Sequence, residues 1–309
     1  MGGGRLKAMT SEVIAFGRRR LHRCQMGTPH IRQPVPPQPG GDVGALLRQW
    51  RSARRLSQLE LALDADVSSR HLSYVETGRS QPSREMVLRL ADALEIPLRE
   101  RNALLVAAGY APRYVETGLA APELAQMRRA IDLILGHQEP YPAFVLDRHW
   151  DIRLTNRAAA RCTRFLLGAE PAETNMVRLV LRPDGLRPVM VNWEETAGDL
   201  VRHLHNQIAV SPSDERATAL LTEVLSYPGV PARWRTREIS APPAPLLTTI
   251  FRKDEVELRF FSTITAFATP HDVTLDELRI ECSFPADEAT AAACRERFSP
   301  PEASRSDSR

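Results

Sequence analysis

The sequence predicts two domains of different class: an all-α unit over residues 42–114 and an α+β unit with one antiparallel sheet over residues 119–287. Three observations predict it. From Val43 the apolar residues fall at helical spacing, with Val43, Leu46, Leu47 and Trp50 at i, i+3, i+4 and i+7. Near Ala143 the period changes to strand-like alternation, which returns late in LLTTIFRK, VELRFFSTITAFAT and LRIECSF. Between these stretches lie amphipathic segments long enough to pack as helices on a sheet. A chain of 309 residues has room for both domains, each with its own core.

Taken in order, the first unit reads as five short helices. Ser57-Gln58-Leu59-Glu60 is a capping box, which predicts a second helix burying Leu59, Leu61 and Ala62 and stopping at Asp64-Ala65-Asp66. Ser68 caps a third helix, with Leu72 and Val75 inward and Thr77-Gly78 at its end. Ser83 starts a fourth, turning Met86, Val87, Leu90 and Leu94 inward. Pro97 opens a fifth at a first-turn position and the helix runs to Ala108-Gly109. Farther on, a helix from Pro122 to His137 carries Leu124, Met127, Ile131 and Leu135 on one face. Ala143–Leu146 reads as a strand, Asp147-Arg148-His149 as a turn, and Trp150, Ile152 and Leu154 alternate in a second strand. Asn156 caps the alanine-rich NRAAARCTRFLL, and Trp193, Ala197, Leu200, Val201, Leu204 and Ile208 form a stripe on a long helix. Ser213 begins another, burying Leu220, Leu221, Val224 and Leu225. The last strand segment also fits a helical start, since Thr274 and Glu277 have capping-box spacing.

Composition narrows the function classes. Hydrophobic and charged contents of 43% and 26% are ordinary for a globular chain. No apolar run approaches the roughly 18 residues that span a bilayer, and Arg and Gly interrupt any signal-peptide core near Met1, so no membrane partner is expected. The four cysteines, Cys24, Cys162, Cys282 and Cys294, are far apart and fit reduced thiols better than disulfides or zinc. Residues 1–41 hold seven basic groups against Glu12 alone, and residues 42–114 eleven arginines against nine acids, so the remainder is acidic. That asymmetry suits a chain touching a polyanion at one end. Residues 1–41, with GRRRLHR and PVPPQPGG, are expected to be a disordered basic arm or an upstream extension of the reading frame, and residues 288–309 a disordered tail.

No catalytic or metal motif is present, so no enzyme activity, cofactor or metal is expected. His203 and His205 are two apart on a helix and point to different faces. His271-Asp272 is an isolated dyad, and Glu194 and Glu195 edge an amphipathic helix. Ser57 to Arg79 does carry chemistry: two helices joined by a tight turn, the second with polar side chains on its free face, suited to the DNA major groove.

The motifs LSQLELA, VSSRHLSYVETGRSQPS and LRLADALEIP resemble the xenobiotic-response-element (XRE) family of helix-turn-helix regulators over Asp42 to about Tyr114. The resemblance implies double-stranded DNA as partner. It places Gln58 on a phosphate, Ser69, Arg70 and Tyr74 at base edges, and Ser68 and Ser73 at phosphate or groove. Arg70 suits the O6/N7 edge of guanine, while Arg79 and Arg84 suit the backbone. It also implies a structural ion pair of Arg51 with Glu76. The turn departs from the family's glycine with Asp66, a residue type that tolerates the left-handed conformation.

The later segments PAFVLDRHWDIRLTNRAAA, NMVRLVLRPDGLRPVMVNWEETAGDLVRHL and VELRFFSTITAFATP resemble the MmyB-like ligand-binding domain, a PAS-like fold. That resemblance implies a pocket for a small apolar effector such as a fatty acid, with Trp150, Phe165, Trp193, Phe260 and Ile264 as candidate lining residues. Together the readings lead to an expected dimeric transcriptional regulator, cytoplasmic and nucleoid-associated. The alternatives are an enzyme with a DNA-tethered C-terminal catalytic domain and a protein-interaction module that does not bind DNA.

Overall fold

Five helices come first in the computed structural model, which describes residues 43–211, 214–236, 246–268 and 270–299. They are α1 (Val43–Ala53), α2 (Gln58–Asp64), α3 (Ser69–Glu76), α4 (Arg84–Ala93) and α5 (Leu98–Ala107). Serine caps open three of them. Ser57 completes a reciprocal capping box with Glu60, while Ser68 and Ser83 accept from the His71 and Met86 amides. Each such cap stabilises its helix by about 1 kcal/mol. The helices close on a core of Leu47, Leu61, Leu72, Val75, Val87, Leu90 and Leu105, all fully buried.

The expected inward Leu59 is instead 60% exposed. The capping box fixes the phase of α2, and residues two apart on a helix lie about 200° apart, so Leu61 and Leu59 cannot share a face. Leu63 follows Leu59 outward. Asp66 adopts φ 51°, the left-handed turn that its side chain was expected to tolerate. Pro97 sits just outside α5 as its N-cap, one place before the first-turn position read from sequence.

Helix α6 (Ala125–His137) follows a short 3₁₀ turn at Pro122–Leu124. The α+β part continues through β1 (Ala143–Leu146), β2 (Ile152–Thr155), α7 (Arg157–Leu167), α8 (Met176–Leu181), α9 (Trp193–Val210) and α10 (Glu215–Leu225). It closes with β3 (Thr248–Lys253), β4 (Val256–Thr265), α11 (Val273–Glu277), β5 (Arg279–Pro285) and α12 (Glu288–Arg297). The five strands form one antiparallel sheet in the order β2-β1-β5-β4-β3.

Strand alternation assigns the two faces. Val145, Ile280 and Cys282 pack with Leu124, Ile131 and Leu135 of the α6 segment. Leu146, Leu258 and Phe260 pack with α7, α8, α9, α10 and α12 on the other side. The β3 edge is closed by Asn192, whose amide donates to the Thr248 carbonyl and accepts from the Ile250 amide.

Several boundaries differ from the sequence reading. Residues 288–297, expected as the start of a tail, form α12, because Asp287 caps the segment and Thr290, Ala291, Cys294 and Phe298 are buried. Trp150 lies in the turn before β2 with φ 68° and is buried, so burial of the indole overrides the alternation that placed it in a strand. Asp214 caps α10, where Ser213 was expected to start the helix. Asp272 caps the one-turn α11 and β5 follows at once, so the ambiguous segment is a helix and then a strand. Residues 1–41 lie outside the described residues.

Gly44 lets α1 approach α3. A Cβ built there would come far inside van der Waals contact with the Val75 carbonyl oxygen and within 3.0 Å of the Glu76 Cα, both backbone atoms. Gly44→Ala should therefore destabilise the helical unit by about 1–3 kcal/mol through overpacking. Denaturant unfolding followed on α-helical signal checks it, and an unchanged midpoint would show that α1 can shift freely.

Candidate nucleic-acid interface and interdomain junction

Helix α3 has one buried face, Leu72 and Val75, and one open face. Ser68, Ser69 and Arg70 are exposed, Ser73 and Tyr74 are half-buried, and Arg79 and Arg84 are exposed just beyond. The Arg70 guanidinium donates from Nε to the Tyr74 hydroxyl at 3.0 Å and lies 5.6 Å from its ring centroid. The pair is thus held outward as a unit, with the rest of the guanidinium fork free to meet an acceptor. Ser68 Oγ is occupied as the helix cap at 3.4 Å, which leaves its hydroxyl hydrogen to donate. His71 also stands exposed on this helix, 3.3 Å from Ser80 Oγ. Sequence reasoning passed over it, although its place beside Arg70 was the available signal.

Behind that face lies the cluster that orients it. Glu76 is 2% exposed and receives both ends of Arg51, Nε at 2.6 Å and Nη2 at 2.8 Å. Arg48 donates to the Glu76 carbonyl, joining α1 to the end of α3. Gln58 donates from Nε2 to Glu76 at 2.8 Å. The residue expected on a phosphate is therefore braced from behind, with its second amide hydrogen unspent. Burial would raise the Glu76 carboxyl, but hydrogen bonds from Arg51 and Gln58 and the charges of Arg51 and Arg48 outweigh it and hold the group below the usual carboxylate range. Arg51 and Glu76 thus meet as two opposed forks.

A second set of charged groups joins α5 to the α+β part, and the described residues form one compact unit. Arg99 donates to Glu277 at 2.7 Å and to Glu116 at 2.8 Å. Arg148, in the turn between β1 and β2, reaches the same Glu277 at 2.8 Å and Asp214 at 2.5 Å. His149 Nε2 lies 3.0 Å from Asp214, and Ser211 donates to Glu100 of α5. The Leu98 amide at the start of α5 donates to Asp276 Oδ2 at 2.9 Å. The connecting chain is pinned as well, since the Thr117 amide donates to Asp272 and the Val273 amide to the Val115 carbonyl. Of these groups, Arg99, Glu116, Arg148, His149, Asp214 and Glu277 line a cleft of about 630 Å³ between the two parts. Burial opposes ionisation of Asp214, but His149, the Ala217 amide and Arg148 overcome it and drive the carboxyl far below its ordinary value. In the sequence Arg148, His149, Asp272 and Glu277 read only as turn, dyad and cap residues, because the members of the network are up to 178 residues apart.

The candidate pocket residues separate. Trp150, Trp193 and Phe260 are buried in the cluster between the sheet and α9, and Phe165 packs at its edge against Phe298. Ile264 is 51% exposed, although its register opposite Glu281 puts it on the same sheet face as Phe260. Of the dismissed groups, His203 pairs with Asp199, His205 Nε2 lies 2.9 Å from the Trp234 carbonyl oxygen, and Asp272 caps α11. Among the described residues no cluster of His, Cys, Asp and Glu is placed to hold a metal ion, and no helix is long and apolar enough to cross a membrane.

Residues 127–296 match the family model for the MmyB-like transcription regulator ligand binding domain, and residues 42–104 match that for a helix-turn-helix domain. No curated protein matches the chain. Among solved structures, one titled "Structure of an RNA-binding Light-Oxygen-Voltage Receptor" is similar at 13% identity and a TM-score of 0.25, over 82% of this chain and 60% of that one. A likeness at that score bears on neither fold nor function.

Two measurements check the electrostatics. Glu76→Ala strands the largely buried Arg51 and should cost about 3–5 kcal/mol, read by thermal unfolding. Asp214 has a depressed folded-state value, so its stabilisation is complete above about pH 5 and is lost as pH falls below the ordinary carboxylate value. Asp214→Asn should flatten the acid limb of a stability–pH curve; an unchanged slope would place its ion pairs outside the folding equilibrium.

Proposed function

We propose how this chain works from one premise: it belongs to the family defined by the MmyB-like transcription regulator ligand binding domain, whose model spans more than half of its 309 residues. With the helix-turn-helix domain ahead of it, the protein is a DNA-binding transcription regulator with a ligand-sensing part. Our reading goes further. Residues 42–114 form an XRE-type domain that reads a specific operator, and residues 119–287 a sensor for a small apolar effector, fatty-acid-like in size. Two copies pair so that their α3 helices meet half-sites about one helical turn apart. The protein works in the cytoplasm on the nucleoid, with residues 1–41 adding phosphate contacts.

One observation carries the DNA reading: Arg70 and Tyr74 are joined to each other on the open face of a helix whose opposite face is locked into a core. Arg70 is assigned to a guanine edge, and Ser69 and Tyr74 to neighbouring bases. Gln58, Ser68, Ser73, Arg79 and Arg84 are assigned to phosphates and groove walls. Effector control follows from the charged junction, since the turn that carries Arg148 toward α5 also carries Trp150 into the core of the sensor. A ligand that displaces Trp150 moves the ionic contacts of α5 and so changes the freedom of the DNA-binding helices.

Quantitative footprinting against an operator selected from random sequence tests the assignments. Arg70→Ala should cost about 1–3 kcal/mol on that operator and relax preference at one position. Gln58→Ala should weaken all sequences alike and reduce the salt dependence of binding. Equal binding of the Arg70 variant and wild type on every sequence would overturn the readout.

A further inference from the structure

Helix α9 supplies side chains to two hydrophobic cores. Trp193, Ala197, Val201 and Leu204 recur at i, i+4, i+8 and i+11 and are buried in the core of the sensor. Val210, its last residue, packs instead against the core of the helical unit, the cluster that holds Leu47, Leu61, Leu72 and Leu105. Ser211, which ends the helix, donates to Glu100 of α5. No proline interrupts Trp193–Val210, and the helix runs unbroken for roughly 27 Å from one core to the other. Its N-terminal half is wedged on several sides. The Trp193 indole donates to the Val180 carbonyl at 2.9 Å and carries the Arg187 guanidinium 3.8 Å from its ring centroid. The Trp234 ring lies 5.4 Å from that of Trp193, and a Cβ built on Gly198 would meet the Trp234 ring at 3.3 Å.

This helix is suited to more than fixed packing. Close-packed cores have little room to absorb a shift, so displacing a stiff helix at one end reaches the other. Val210 makes an apolar contact, which is non-directional and tolerates a slide that an ion pair would resist. In its present seat α9 also leaves Thr196 Oγ1 and Gln207 Oε1 buried without a hydrogen bond, while Gln207 Nε2 lies 3.5 Å from Asp214, at the limit of one. Buried polar atoms are almost always paired, so this seat costs the helix free energy that another seat could recover.

We propose that α9 is a rod that carries displacement of the sensor core to the helical unit, with Val210 as its thrust contact on the core behind α3. The inference rests on the reading of this chain as a DNA-binding regulator and names a route of control within it. A group that shifts α9 in the sensor core, whether an effector or an added side chain, moves Val210 in its seat and Ser211 against Glu100. The helices that hold α3 then lose packing on one side, and operator affinity follows. This route is separate from the ionic one through Arg148, which reaches the junction from the turn before β2.

The test is a double-mutant cycle on operator affinity, read by quantitative footprinting with the full-length protein at fixed salt. Gly198→Ala places a methyl group against Trp234 and strains α9 within the sensor, about 18 Å along the helix from Val210. It should weaken operator binding by about threefold or more in the wild-type background, and by less than about 1.5-fold once Val210→Ala has removed the thrust contact. Sites this far apart otherwise act additively, so loss of the effect is what distinguishes a rod from two independent defects. Val210→Ile, which keeps the contact, should retain the full effect of Gly198→Ala. If Gly198→Ala does not fold, Ala197→Val supplies a comparable strain from the buried side of the same turn. The same factor in both backgrounds, or no effect in the wild-type background, overturns the rod and leaves the regulator standing. A wild-type protein that binds no operator overturns the regulator reading and the rod with it.

Discussion

Helix α5 begins without a cap of its own. The residue before it is Pro97, which offers no side-chain acceptor, yet the first amides of any helix need partners from outside the helix. Asp276, from the one-turn helix that precedes β5, supplies one by accepting from the Leu98 amide. The carboxylate also places negative charge at the positive end of the α5 dipole. Thus a helix of the DNA-binding core is finished by a residue of the sensor. The arginine–carboxylate pairs of Arg99, Arg148, Glu277 and Asp214 surround that contact and fix its geometry.

From that contact the rest follows in two directions. Toward the DNA, α5 packs on α1 and α4, and α1 holds α3 through Arg51, Arg48 and Glu76. Any shift of α5 therefore reaches the base-facing helix through packed and hydrogen-bonded groups. Toward the sensor, Arg148 and Trp150 stand two residues apart in one tight turn, one side chain at the junction and the other in the core. The buried charge of Glu76 is costly alone and is tolerated because three side chains converge on it. Buried pairs of this kind hold one arrangement against others more than they add net stability.

The helical unit was legible because its signals are local. Serine caps, the capping box, the positive-φ turn at Asp66 and the Leu72/Val75 face are each written within four residues. Leu59 escaped because apolarity says nothing about phase until the cap fixes it. The strands were legible as alternation, but their order was not, since β1 pairs with β5 across more than a hundred intervening residues. The junction was illegible for the same reason. Arg99, Arg148, Asp214 and Glu277 look like ordinary surface charges until the chain folds them together. Trp150 was read as a strand residue and a pocket candidate, and only the turn geometry shows it as the link between core and junction.

Amide hydrogen exchange at Leu98 in the full-length protein reads out whether the sensor finishes α5. That amide has no helical partner, so its protection reports docking of α5 on Asp276 and nothing else. The Leu98 amide should be protected in wild type and become fast-exchanging in Asp276→Ala, with amides of α3 and β5 unchanged. A Leu98 amide that exchanges as freely as an exposed helix start in wild type would contradict that docking.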